Sequence, residues 1–408
     1  MATYLKELEC PRCGKKYDPS RLNNLCECGM PLLVRYDLET LAREFDPGEW
    51  RKRPEGLWRY RELLPVVEDE NRVSLGEGGT PVFALPKMAK EYGLKSLYLK
   101  DEGMNPTGTF KARGAAVGVS RAKELGAKTV AMPTAGNAGA AWAAYCARAG
   151  IKMVVAMPED APATTQAECV AYGAETYLVK GLISDAGKVI KEACAEYGWF
   201  EVATLKEPYR IEGKKTMGLE IWEQFHGKMP GAIIYPTGGG VGIIGMWKAF
   251  QELKAMGWLT GPLPKMVVVQ AEGCAPIVRA YREGKDKAEF FQGAHTLAAG
   301  IRVPSALGDF LVLDAVRSSG GTCVSVTDDE ILETWKRLSR TEGALICPEG
   351  AAAVKAARLI KDAGLVSPGD SVLILNTGAG MKYTELLTEK AAKLQSGTLR
   401  PLLACGHG

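Results

Sequence analysis

The chain has 408 residues, and its 51 Lys and Arg against 48 Asp and Glu leave a formal net charge of +3. So even a balance argues against a broad basic surface for nucleic acid or a polybasic membrane face. Apolar residues at 46% and charged residues at 24% describe an ordinary globular protein, long enough for two or three domains and a sizeable core.

Met1 to Lys6 lacks a signal-peptide core, and the longest uncharged run, Thr129 to Ala147, is broken by Pro133, Gly136, Asn137 and Gly139. It reads as strand, loop and helix rather than as a membrane span. Eleven cysteines are too few for a disulfide scaffold, and Cys146, Cys169, Cys194, Cys274, Cys323, Cys347 and Cys405 stand singly. A reducing cytoplasm is the expected compartment.

The first elements surround Cys10, Cys13, Cys26 and Cys28, spaced C-x2-C-x12-C-x-C with Gly14 and Gly29 after the second and fourth. Two thiolate-bearing turns facing each other across a hairpin would make a tetrahedral S4 site, for which zinc is the usual occupant. Four reduced thiols on a metal-free β appendage are the alternative. Either way the role is structural, because four thiolates leave no open position for a substrate.

From Ser96 onward, apolar β-rich runs alternate with helical periodicity. The predicted strands are Leu97 to Leu99, Thr129 to Met132, Met153 to Ala156, Thr176 to Val179, Ile233 to Tyr235, Met266 to Val269, Cys323 to Val326 and Val372 to Leu375. Between them, sets such as Met217, Ile221, Trp222, Phe225 and Ile243, Met246, Trp247, Phe250 place one apolar stripe against a sheet. The fold class is α/β with largely parallel strands.

Three strand-to-helix loops carry chemistry. Asn105 to Gly114 opens an Ala-rich helix with Lys111 in its first turn, where burial and the positive end of the helix dipole lower an amine's pKa toward a nucleophile. Thr134, Ala135, Gly136, Asn137, Ala138 and Gly139 follow, with main-chain N–H groups open to a planar ligand or its carboxylate and the Asn137 amide open to an aromatic hydroxyl. Thr237, Gly238, Gly239, Gly240, Val241 and Gly242 form an anion nest whose expected guest is a phosphate. Taken singly, the first also fits a solvated lysine and the second a close helix-on-sheet contact. The third also satisfies a dinucleotide fingerprint, as Gly240-x-Gly242-x-x-Gly245 with Glu272 past the next strand, which keeps an NAD-binding oxidoreductase as an alternative. That alternative leaves Lys111 without a role.

Together these strings resemble the pyridoxal-phosphate enzymes of the tryptophan-synthase-β fold, and within them the threonine-synthase branch. The resemblance runs through the Cys ribbon, Leu75 to Pro81, Lys100 to Glu102, Asn105 to Arg113, Gly136 and Asn137, Arg210 to Thr216, and Thr377 to Lys382. It implies a fold-type II enzyme with a ribbon appendage at 1–36, a large cofactor-binding domain at 37–106 and 208–408, and a smaller α/β domain at 107–207. It further implies that Lys111 carries pyridoxal 5'-phosphate covalently and shuttles protons, that Asn137 bonds the ring hydroxyl, and that Gly238 to Gly242 hold the phosphate. Thr377 would face the pyridine nitrogen. Thr134, Ala135 and Gly136 would meet the substrate, and Arg210 and Lys215 its leaving phosphate. The implied reaction converts O-phosphohomoserine and water into threonine and phosphate. The expected partner is thus a small amino acid, with no nucleic acid and no membrane, and a homodimer is implied.

The chain departs from that branch where a phosphorylated substrate would need donors. Ala112 stands at a usually acidic position and Thr109 at a serine; Ala135 and Ala138 replace hydroxyls; Thr204-Leu205 replaces Asn-Ser; and the nest is all glycine where asparagines are frequent. Each change removes hydrogen-bonding capacity. A threonine or serine ammonia-lyase, or a related β-replacement enzyme, is therefore the second reading. His226, His295 and His407 stand alone and read as surface or packing residues, while Asp309 and Glu349, near Gly308 and Gly350, receive no chemistry.

Overall fold

The computed structural model describes residues 3–388, so Cys405 and His407 lie outside the described residues. Its strands are β1 (Leu5–Glu9), β2 (Lys16–Tyr17), β3 (Leu33–Tyr36), β4 (Val82–Ala84), β5 (Ser96–Asp101), β6 (Thr129–Pro133), β7 (Lys152–Pro158), β8 (Glu175–Val179), β9 (Phe200–Glu201), β10 (Ala232–Pro236), β11 (Lys265–Ala271), β12 (Thr322–Val326) and β13 (Ser371–Asn376). Every strand expected from the apolar runs is present.

They form three sheets, in the orders β2-β1-β3, β12-β11-β10-β13-β5-β4 and β8-β7-β6-β9. The ribbon sheet is antiparallel, the four-stranded sheet parallel, and the six-stranded sheet parallel except where β4 runs against β5. Parallel strands covered on both faces read as unbroken apolar runs, and β10 is buried at every residue. β8 departs from this. Tyr177 and Leu178 are exposed there, and the neighbouring helix Ile183–Tyr197 buries only Ala186 and Ile190. Among the described residues no helix is long and apolar enough to cross a membrane.

Three helices build the centre. Tyr209–Gln224 packs between Lys111–Glu124 and Val241–Ala255 and is buried on nearly its whole circumference. The close approach is set by Gly213, where an added Cβ would lie 1.9 Å from the Arg113 carbonyl oxygen.

Beneath the Lys111–Glu124 helix lies a buried charge knot. Arg113 Nε and Nη2 reach the two oxygens of Glu102 at 2.6 and 2.8 Å, while Nη1 and Nη2 reach those of Glu220 at 2.6 and 2.7 Å. Lys100 adds a bond to Glu220 at 2.8 Å, and the Thr80 hydroxyl donates to Glu102 at 2.6 Å. Two cations thus meet two carboxylates with their polar atoms satisfied, the condition under which buried charge is tolerated. Burial alone would raise Glu220, but Arg113 and Lys100 hold it well below the carboxylate range.

Two further ties join segments distant in the chain. Lys382, beyond β13, bonds both oxygens of Glu168 at 2.6 and 2.7 Å, on the Ala163–Ala171 helix beside β8. In the ribbon, the Asn24 amide donates to the carbonyls of Glu201 and Lys206 at 2.7 and 2.6 Å.

Candidate active site

In open α/β sheets ligands bind in the cleft beyond the carboxyl ends of the parallel strands, and the loops at those ends are where the candidate residues lie. β6 runs into the loop before the helix Asn137–Ala149, β10 into the loop before Val241–Ala255, and β13 into Thr377. The Lys111 loop is pinned to the last of these: Phe110 N–H donates to the Thr377 carbonyl at 3.1 Å and Ala379 N–H to the Gly108 carbonyl at 2.8 Å. Positive φ at Thr107 (61°) and Gly108 (65°) turns the chain for that pairing.

Lys111 is the first residue of its helix and half-buried, its Nζ lying 4.1 Å from the Phe110 ring centre. Burial pushes its amine down to about 8; the Glu349 charge opposes that shift and Arg210 adds to it. The burial argument therefore acts in the direction expected from the sequence.

The Thr134 hydroxyl is spent on its own loop, accepting from the N–H groups of Gly136 and Gly139 at 3.3 Å each. Ala135, Gly136 and Asn137 are half-buried at the cleft edge, and the Asn137 amide lies against the Tyr383 hydroxyl. In the nest, Gly240 caps the helix with φ +77°. A Cβ there would lie 2.3 Å from Val312, one at Gly238 2.8 Å from the Gly300 carbonyl, and one at Gly242 2.0 Å from the Tyr235 hydroxyl. Only bare main chain fits, and the first N–H groups of a helix have no partner inside it. Gly242 and Gly245 thus serve close packing against Tyr235 and Lys215, which removes the need for a dinucleotide to explain their spacing.

Thr377 is buried, with Oγ1 3.6 Å from the Cys347 sulfur. That thiol donates to Asn376 at 3.2 Å, and burial together with the Glu349 charge pushes it up, so it stays protonated. Arg210 lies near the cleft but is heavily engaged. Its Nε donates to Glu207, Nη2 to the Val202 carbonyl and Nη1 to Thr204 Oγ1 at 3.2 Å, and its guanidinium sits 5.2 Å from the Trp142 ring centre.

Lys215 does not join this group. Its Nζ lies 2.6 Å from Glu212 and 2.9 Å from Glu252 in a second closed cluster with Lys248, 4.0 Å from the Tyr36 ring centre. Lys214, one residue earlier, is the lysine beside the site: it donates to the Phe110 carbonyl and sits 4.5 Å from the same ring as Lys111. Burial, then the Lys111 and Arg210 charges, hold its amine well below the usual lysine range.

Sequence reasoning also passed over Glu349, Cys347 and Tyr383. Glu349 was visible as an acid in the first turn of an Ala-rich helix, Pro348–Asp362, but nothing in the pattern tells which wall that turn faces. His226 and His295 are exposed, and Asp309 is buried accepting from Ala288 N–H at 2.7 Å.

In the ribbon, the sulfurs of Cys10, Cys13, Cys26 and Cys28 all lie within 4.8 Å of one another, with Cys10–Cys28 at 3.6 Å and Cys13–Cys26 at 3.5 Å. Four thiolates around zinc at about 2.3 Å would be about 3.8 Å apart, so the donor set fits that ion.

Comparison with known proteins shows the family. Residues 73–378 match the family described as pyridoxal-phosphate dependent enzyme. The threonine synthase of Methanocaldococcus jannaschii is 38% identical over 374 residues, covering 91% of this chain and 92% of the relative. That of Methanosarcina acetivorans is 38% identical over 377 residues, with 92% of each covered. In shape, maize serine racemase superposes with a TM-score of 0.64 at 24% identity, over 74% of this chain and 88% of that one, a likeness of fold. A lysine of lowered pKa on a helix start, a glycine cradle with room only for main chain, and a match over three quarters of the length lead to one conclusion: the chain belongs to the family of pyridoxal-phosphate dependent enzymes.

Proposed function

We propose that this enzyme converts O-phosphohomoserine and water into threonine and phosphate. The observation that carries the reading is the 38% identity to threonine synthases over nine-tenths of the chain. Pyridoxal phosphate, when bound, supplies the electron sink that makes the Cα proton removable.

Lys111 Nζ, lowered to about 8, is unprotonated often enough near neutrality to take up a proton and return it. The Gly238–Gly242 main chain would hold the cofactor phosphate, the Asn137 amide would hold its ring hydroxyl, and Thr377 would serve its ring nitrogen. A neutral hydroxyl in that role would favour an unprotonated ring nitrogen and disfavour side reactions such as transamination. Gly136 and its neighbours offer main-chain N–H groups to the substrate carboxylate, and Arg210 adds positive charge for the departing phosphate. The Cys10, Cys13, Cys26 and Cys28 cluster holds a structural zinc. The chain divides into 1–36, 37–106 with 208–408, and 107–207, each larger part with its own sheet, and acts in the cytoplasm as a homodimer. Exposed Val170, Tyr172, Tyr177 and Leu178 near β8 offer apolar surface to a second copy.

One observation favours a second reading. The Arg210 guanidinium already faces the Glu207 carboxylate, which suits an ammonia-lyase acting on threonine or serine without a phosphate. Purified enzyme given O-phosphohomoserine, threonine and serine in parallel decides between them. Phosphate release with threonine formation supports the first; 2-oxobutyrate or pyruvate without phosphate release selects the second.

A further inference from the structure

Glu349 is 2% exposed and sits in the first turn of the Pro348–Asp362 helix, where the dipole favours a carboxylate. One oxygen is fully used: Oε1 accepts from Gly300 N–H at 2.6 Å and from the Tyr383 hydroxyl at 2.8 Å. The other, Oε2, is enclosed and has no hydrogen-bond partner among the described residues. A buried carboxylate oxygen is costly to leave without a donor, so a donor is expected to reach it at some stage of turnover.

The surrounding donors are mostly committed. Lys214 is held by the Phe110 carbonyl, Arg210 by Glu207, Thr204 and Val202, and the Cys347 thiol by Asn376. Lys111 is the exception. Its Nζ has the Phe110 ring beside it and no hydrogen-bond acceptor among the described residues, and Glu349 is the leading charge that favours its protonated form.

We propose that the unpartnered oxygen of Glu349 is the counter-charge to the Lys111 amine whenever that amine holds a proton, with Tyr383 and Gly300 as positioning groups. The inference rests on the reading of Lys111 as the reactive amine. When Lys111 Nζ takes a proton from Cα, a cation forms in a place already poor in water, beside Arg210 and Lys214. The carboxylate stabilises that cation, and the proton stays on nitrogen until it is returned to carbon. Gly300 also ties this carboxylate to the nest, because its carbonyl lies where a side chain at Gly238 would stand. The cofactor's phosphate seat and the base's counter-charge are therefore fixed to one loop.

The test compares turnover with Lys111 reactivity in Glu349→Gln, which keeps the Oε1 acceptor and removes the charge. Colour formation is followed as full-length protein stripped of cofactor takes up pyridoxal phosphate at a series of pH values. The groups facing Lys111 are Glu349 and Cys347 from one helix start and Arg210 and Lys214 from the Tyr209–Gln224 helix. Removing the one carboxylate lowers the Lys111 pKa, so the rate midpoint falls from about 8. With a fall of about one unit, colour forms about fivefold faster at pH 7, while kcat drops about 50-fold and KM changes less than twofold.

Opposite movement of the two rates is the expected signature, which simple damage to the fold does not produce. An unchanged midpoint, a parallel fall of both rates, or a raised KM with kcat intact overturns the proposal. Glu349→Asp, which keeps the charge, is expected to hold the midpoint near that of the parent; if it falls as far as the Gln variant, the proposal fails, and this arm stands if the Gln protein does not fold. Lys111→Ala tests the underlying reading separately: colour that still forms there sinks the role of Lys111 itself.

Discussion

The charge knot around Arg113 and the cleft around Lys111 lie on either side of one helix start, and they are finished differently. In the knot every cation has its carboxylate and each guanidinium nitrogen its acceptor. In the cleft a lysine amine meets an aromatic ring, a second lysine meets a carbonyl, and a carboxylate keeps one oxygen unused. Closed pairing holds the fold, whereas incomplete pairing leaves groups available to a cofactor and substrate, at some cost in stability.

The largest expected effect breaks the cleft side. Lys111→Ala should abolish the absorbance near about 410 nm and cut turnover by about 10⁴-fold or more, with no loss of thermal stability, because a desolvated amine is removed. Next is the knot. Arg113→Met strands Glu102 without a cation in the interior, leaves Glu220 to Lys100 alone, and should cost about 3–5 kcal/mol, read from denaturant midpoints.

A smaller change sharpens the contrast. Lys215→Met should lower the melting temperature by several degrees yet leave KM within about twofold, since its partners are Glu212 and Glu252 rather than substrate. A KM effect of tenfold would return Lys215 to the site. Smallest is a pH effect in the cofactor-free protein. With Lys111 at about 8 folded, against an ordinary lysine at about 10.5, the unfolded chain binds the extra proton between those values. The Lys111 contribution to stability therefore increases as pH rises through that window, and the slope should vanish in Lys111→Met.

Much of this was legible beforehand. The strand runs are continuous and apolar because both faces are covered, and each reactive loop announces itself by glycine or proline between a strand and a helix. The choice between Lys214 and Lys215 was not legible. Their helix is buried on almost every side, so no apolar stripe sets its rotational phase. Glu349 escaped for a related reason: its partners, Gly300, Tyr383 and Lys111, come from three distant segments, and no local spacing encodes that meeting. The engagement of Arg210 by Glu207 could have been suspected, since the two stand three residues apart at a helix start.

The Arg113 knot also constrains how such a sequence can drift. Lys100 and Glu220, 120 positions apart, share one bond, and Glu102 and Arg113 close the circuit between them. A descendant that neutralised any one of the four would inherit a stranded ion and survive only if a distant codon changed with it. The strings Leu75 to Pro81, Lys100 to Glu102, Asn105 to Arg113 and Arg210 to Thr216 all run through or beside this circuit, so they are expected to persist or be replaced as a set rather than erode one at a time.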